Sequence, residues 1–175
     1  QAQHITFVLI GISLALIPIA KSRARGIKLK ANYFAFMFAE SLALSLVLGV
    51  VLQFILRMGG LSTGVSGSSL MQNLALSIGA GLFEEIIFRV ILLNILFLML
   101  SPLFKKKMVA AVVSVLLASF LFSLSHYVGT MADPWQLYSF IFRWAAGLFF
   151  TVLYFVRGFA ITSYTHALYD IWVLV

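Results

Sequence analysis

Cysteine is absent from the 175 residues, which excludes disulfides, thiolate-held metals and a thiol nucleophile. Charge is scarce, at 10% of the chain, where soluble domains carry roughly 25%. Acidic residues are scarcer still, five in all. There is no GxSxG elbow, HExxH helix, P-loop or GxGxxG fingerprint, so serine hydrolase, zincin, nucleotide-binding and Rossmann chemistries have no support. Internal repeats and low-complexity tracts are missing as well. What the chain does contain is apolar side chain: 63% of residues are hydrophobic and mean hydropathy is +1.10. These residues are gathered into long runs, the pattern of an integral membrane protein.

A crossing helix needs about 20 apolar residues. Runs of that kind fall at about 5–20, 33–56, 83–103, 108–126, 135–156 and 158–175. The first lacks a small-residue cleavage site and reads as a membrane helix, not a signal peptide. Residues 57–68, RMGGLSTGVSGS, form a Gly/Ser-rich loop. The stretch 69–82 is helical in pattern. Fused to 83–103 it would exceed the roughly 30 Å hydrocarbon core, so a break at Gly79 and Gly81 is expected, with 69–80 a short, re-entrant or strongly tilted helix. The expected fold is all-α: a polytopic bundle of about six transmembrane helices plus one short or re-entrant helix. It forms a single membrane domain over 1–175, with two N-terminal spans in 5–68 and a core in 69–175.

The net charge of +7 does not point to nucleic acid. Five basic residues lie in KSRARGIKLK (21–30) and three in KKK (105–107), between apolar runs, with no recognition motif beside them. Lys and Arg concentrate in cytoplasmic loops. That rule puts 21–32, 104–107 and Arg157 on the cytoplasmic side, and 57–68 and 127–134 on the other.

Polar groups inside spans are few: Glu40, Glu84, Glu85, Arg89, His126, Arg143, His166 and Asp170. Each charge at the bilayer centre costs about 2.5–3.5 kcal/mol on insertion scales, so such groups are expected to pair or to serve a function. Glu85 and Arg89 stand four apart, acid first, on one helix face. Glu84 points about 100° away, with Phe88 as its i+4 neighbour, and has no local partner. Adjacent carboxylates in different surroundings can divide acid and base roles, and Glu84 is the candidate general base for water. His166 lies four before Asp170, which can fix the imidazole tautomer. Two glutamates, two histidines and an aspartate on three spans suit acid–base hydrolysis or a metal site.

In chain order, EEIIFR (84–89) matches EExxxR, FSLSH (122–126) matches FxxxH and HALYD (166–170) matches HxxxN/D. Each sits on its own helix. Over about 69–175 the sequence resembles the CPBP family of intramembrane proteases, which includes type II CAAX prenyl endopeptidases and bacteriocin-processing or immunity (Abi) proteins. The resemblance implies an intramembrane endopeptidase cutting a peptide bond near the membrane. Glu84 would activate the water, Glu85 would support it and be held by Arg89, and His126 would orient the water and shuttle its proton. His166 would donate to the oxyanion, with Asp170 holding the imidazole; the prenyl-protease branch often has Asn at that position. No cofactor is favoured. Zinc is the alternative, on Glu84, His126 and His166, but adjacent glutamates diverge too far for both to ligate one ion. The expected partners are a membrane-associated peptide or protein substrate and the lipid bilayer of a prokaryotic plasma membrane. Two other readings stand beside this one: a non-proteolytic scaffold or immunity-type binding protein, and a proton-coupled transporter, against which the lack of an inverted repeat argues.

Several further expectations can be checked. Arg143 pairs with Glu40 or reads a substrate carboxylate. Trp144, Phe140, Phe149 and Phe150 pack or contact lipid. Asp133 caps the next helix, with Pro134 at its first position. Ser77 and Gly81 allow close helix approach, and Trp135 and Tyr138 suit the membrane interface. A reactive helix starting near 83 would place Glu84 and Glu85 towards the non-cytoplasmic end.

Overall fold

The structure is a computed structural model that describes residues 30–58, 70–129 and 132–174. Every regular element among them is helical: α1 (Ala31–Met58), α2 (Leu70–Glu85), α3 (Leu93–Leu100), α4 (Lys107–Ser125), α5 (Leu137–Arg157) and α6 (Phe159–Leu174). Among the described residues, three stretches are long and apolar enough by themselves to cross a membrane: Asn32–Phe54, Lys107–Ser125 and Leu137–Arg157. The span expected at 5–20 and most of the loop expected at 57–68 lie outside the described residues.

In α1 the buried stripe is Ser41, Ser45, Leu48 and Leu52, while Phe36, Val47, Val50 and Phe54 face outward. The four-, three- and four-residue steps of that stripe are helical periodicity. Here, though, large apolar groups lie outside and small polar ones inside. Close packing between helices, not exclusion from water, drives association in lipid, so small residues take the interface. Ser41 Oγ donates across it to the Ile161 carbonyl at 3.4 Å. Leu48 and Leu52 join Ala146, Phe150 and Tyr169 in a core shared by α1, α5 and α6.

Helices α2 and α6 share a small and polar interface. Asn73, Ser77, Gly81 and Glu85 recur every fourth residue along α2 and are all buried, against an α6 that buries Thr162, Ser163, His166 and Ala167. A Cβ on Gly81 would stand 2.6 Å from the Ala167 nitrogen and 2.8 Å from its Cα. The expected break at Gly79 and Gly81 is therefore corrected. The chain stays helical through both, and Gly81 is where two backbones touch.

Nor does the rod end at Glu85. A π-helical segment, Ile86–Leu92, joins α2 directly to α3, with the Leu93 N–H donating to the Phe88 carbonyl. Such wide turns disturb the regular ladder and occur often at functional sites. Asn94 Nδ2 donates to the Val90 carbonyl at 2.7 Å and reaches the Arg89 carbonyl at 3.5 Å, serving backbone acceptors at the exit of the segment. Because the rod runs unbroken from Leu70 to Leu100, Glu84 and Glu85 lie about 20 Å from its start at about 1.5 Å per residue. They sit near its middle, not at the end where a helix starting at 83 would put them.

Helices α4 and α5 are tied by Ser119 Oγ to Thr151 Oγ1 at 3.3 Å and by Ser123 Oγ donating to the Phe140 carbonyl at 2.7 Å. Gly158, at φ +81°, makes the one-residue turn from α5 to α6, a backbone conformation that favours glycine. Two further expectations are corrected. Helix α5 begins at Leu137 with Gln136 at its N-cap and no side-chain cap, so Asp133 and Pro134 do not start it. Glu40 pairs with Arg157 through Nε at 2.5 Å and Nη2 at 2.6 Å, not with Arg143, which bonds Asp133 at 2.6 Å. Phe140 and Phe150 are packed inside, and Trp135 and Tyr138 are exposed.

Candidate active site

The middle of the rod faces the middle of α6 and the end of α4. Glu85 is fully buried, and its Oε1 lies 2.7 Å from His166 Nδ1. Arg89 Nη1 stands 2.9 Å from the same oxygen, a charge contact outside hydrogen-bond alignment. The pairing expected from the four-residue spacing is therefore present. Glu84 takes no part in that pair. Its side chain is 24% exposed and its Oε2 stands 3.8 Å from His166 Nε2, too long for a direct hydrogen bond.

Asp170 flanks the same nitrogen, with Oδ2 at 3.6 Å and 22% side-chain exposure. The expected Asp170–His166 pairing is present as a charge contact, longer than a hydrogen bond. It is Glu85, on another helix, that holds the imidazole within hydrogen-bond distance, and it does so at Nδ1. Nε2 is left facing two partly exposed carboxylates.

His126 follows the last residue of α4 as its C-cap. Its Nδ1 lies 3.0 Å from the Phe122 carbonyl. A carbonyl only accepts, so Nδ1 carries the proton and the neutral ring offers Nε2 as an acceptor. The ring is within electrostatic range of His166 and Asp170.

Two phenylalanines complete the centre, and neither was singled out as a functional side chain in the sequence. Phe150 stacks on His166 at 4.3 Å between ring centroids, with 21° between planes. Phe122 sets its ring edge-to-face with both His126 and His166, at 5.2 and 5.9 Å. The Arg89 guanidinium lies 4.5 Å from the Phe122 ring centre and 5.5 Å from that of Phe150. Its Nη2 donates to the Gly147 carbonyl at 3.2 Å. A buried guanidinium is thus met by one carboxylate, one carbonyl and two aromatic faces. The FxxxH motif contained the sequence signal for Phe122, whose carbonyl accepts from His126 Nδ1 and whose ring is the Arg89 platform.

Of the zinc alternative's donors, Glu84 and His166 approach one another at 3.8 Å. Among the described residues no three His, Asp or Glu side chains form a group able to hold a metal ion, and His166 Nδ1 is occupied by Glu85.

The all-helical membrane bundle thus holds a buried Glu–Arg–His centre with a partly exposed carboxylate beside it. The profile of the Rce1-like type II CAAX prenyl endopeptidases matches residues 66–172, and the chain belongs to that family, within the CPBP proteases. The match covers α2 to α6 and all six candidate site residues, and leaves α1 outside it. No curated protein and no solved structure gives a significant match to the chain.

Proposed function

We propose that this protein is a multi-pass, glutamate-dependent endopeptidase of a prokaryotic plasma membrane. Its substrate is a membrane-associated peptide or protein cut near a terminus. The observation that carries the proposal is the unequal placement of the adjacent glutamates. Glu85 is buried against Arg89 and His166, while Glu84 is partly exposed, 3.8 Å from an imidazole nitrogen. One carboxylate is a fixed support and the other is free to act on water.

The reaction then proceeds in two proton-balanced steps. Glu84 accepts a proton from water lying between it and the histidines as the water oxygen bonds to the scissile carbonyl carbon. The carbonyl π electrons move onto oxygen, and the oxyanion is met by His166 Nε2–H. Such preorganised donors commonly provide a large share of catalysis. Collapse reforms the carbonyl and breaks the C–N bond, while Glu84 returns its proton to the leaving nitrogen. His126, with Nδ1–H committed to the Phe122 carbonyl, orients the water through Nε2. Glu85, Arg89, Phe122 and Phe150 are positioning residues that fix the His166 ring, and Asp170 supplies negative charge beside its Nε2.

The single domain and the count of about six crossings remain part of this proposal. Basic loops at 21–32 and 104–107 face the cytoplasm under it. Neo-termini in host membranes, read by mass spectrometry for wild type, Glu84→Ala and His126→Ala, test the activity. Termini present in wild type and absent from both variants are expected; identical termini in all three would contradict it.

A further inference from the structure

Arg143 lies one and a half turns inside α5, and the reaction just described does not use it. Its guanidinium nonetheless makes three hydrogen bonds at the end of α4. Nη1 donates to Tyr127 Oη and to Ser139 Oγ, each at 3.0 Å. Nη2 meets Asp133 Oδ2 at 2.6 Å, and the guanidinium lies 5.4 Å from the Tyr127 ring centre. The Asp133 backbone N–H in turn donates to the carbonyl of His126 at 2.9 Å.

This places one cation on two points of the chain that control a single histidine. Tyr127 is the residue after His126, and Asp133 is the residue whose N–H holds the carbonyl of His126. As the C-cap of α4, His126 has no following helical turn to fix its backbone. After it the chain makes short-range turn bonds from Tyr127 to Leu124 and from Val128 to Ser125. What returns the loop onto His126 is the bond from Asp133, and what anchors Asp133 is Arg143. The surrounding rings close the same side: Tyr127 packs on Trp135 at 4.9 Å, and Trp135 on Phe140 at 5.1 Å. Arg143 also lies within electrostatic range of Glu84 and His126.

We infer that Arg143 is a positioning residue of the proposed protease: through Tyr127 and Asp133 it clasps the chain that follows His126 at two points and sets where that imidazole stands. The inference rests on the proposed function for its kinetic consequence, but not for its structural one. A planar guanidinium can serve Tyr127, Ser139 and Asp133 together, where an ammonium offers a compact point charge. Arg143→Lys is therefore a partial replacement and Arg143→Gln a loss of the clasp.

The test uses the full chain labelled with ¹⁵N-histidine and reconstituted in lipid nanodiscs. The chain has three histidines, so the His126 ring signals are assigned by their loss in His126→Gln. In Arg143→Gln the His126 signals are expected to broaden or split as the tautomer fixed by the Phe122 carbonyl is released, while those of His166 stay in place. Arg143→Lys is expected to give an intermediate spectrum. Cleavage by Arg143→Gln should show kcat lowered by about 10²-fold, the scale of a small misplacement of a reacting group, with KM nearly unchanged. Asp133→Asn, which keeps the side-chain shape, serves as the second variant should Arg143→Gln not fold. Sharp, unshifted His126 signals in the folded variants would overturn the inference. Absence of cleavage in the wild type would count against the protease reading alone, because the spectra report on the clasp without it.

Discussion

His166 Nδ1 lies 2.7 Å from Glu85 Oε1, and the Arg89 guanidinium reaches the same oxygen at 2.9 Å. One carboxylate oxygen therefore holds an imidazole from α6 and a cation from its own helix, with all three side chains buried. Glu85→Gln keeps the shape but leaves Arg89 without its counter-charge. Removing one partner of a buried pair costs about 3–5 kcal/mol, so the variant is expected to lose thermal stability in detergent or nanodiscs as well as activity. A variant as stable as wild type would show that Arg89 is satisfied elsewhere.

Asp170 behaves differently, because its carboxylate stands 3.6 Å from His166 Nε2 while Glu85 fixes the opposite nitrogen. Asp170→Asn is expected to keep the ring in place, to leave stability unchanged and to retain part of the cleavage rate, unlike Glu85→Gln. Equal loss in the two variants would return the orienting role to Asp170. The measurement is kcat for both variants on one substrate, alongside thermal melts.

Gly81 tests the α2–α6 contact. Its missing Cβ would meet backbone atoms of Ala167 at 2.6 and 2.8 Å, and backbone cannot swing aside as a side chain can. Gly81→Ala is expected to destabilise by about 1–3 kcal/mol, as overpacking does, and to slow cleavage by drawing Glu84 and Glu85 away from His166. Gly49→Ala, with nothing within 4 Å of the added carbon, is the control and should be neutral. Melting curves and cleavage rates of the two variants decide it.

Metal removal addresses the competing chemistry. Under the glutamate mechanism, purified, metal-assayed protein is expected to cleave at an unchanged rate after chelation. Loss of activity on chelation, restored by zinc alone, would replace the glutamate mechanism.

Much of this centre was legible in the sequence because it is written in one-turn steps. Glu85 with Arg89 follows from their spacing, and Glu84 stands apart because adjacent helical residues diverge. What was illegible depends on distance along the chain or on the solvent. Glu40 finds Arg157 and Arg143 finds Asp133 across turns and helices, where no periodicity reports the pairing. Phe122 and Phe150 carry the Arg89 and His166 platforms, yet in an apolar run they look like any lipid-facing ring. Gly79 and Gly81 marked an expected break because a helix fused from 69 to 103 would exceed the roughly 30 Å hydrocarbon core. In lipid every backbone group must stay bonded, and glycine there serves close approach.

The division between the two glutamates is tested most directly by Glu84→Gln, with cleavage rate and melting temperature measured on the same preparation. Glu84 is partly exposed and its contact with His166 Nε2 is long, at 3.8 Å, so the variant is expected to melt close to wild type while kcat falls by about 10²–10⁴, the usual share of a general base. A Glu84→Gln protein that cleaves at the wild-type rate would contradict the assignment of Glu84 as the base.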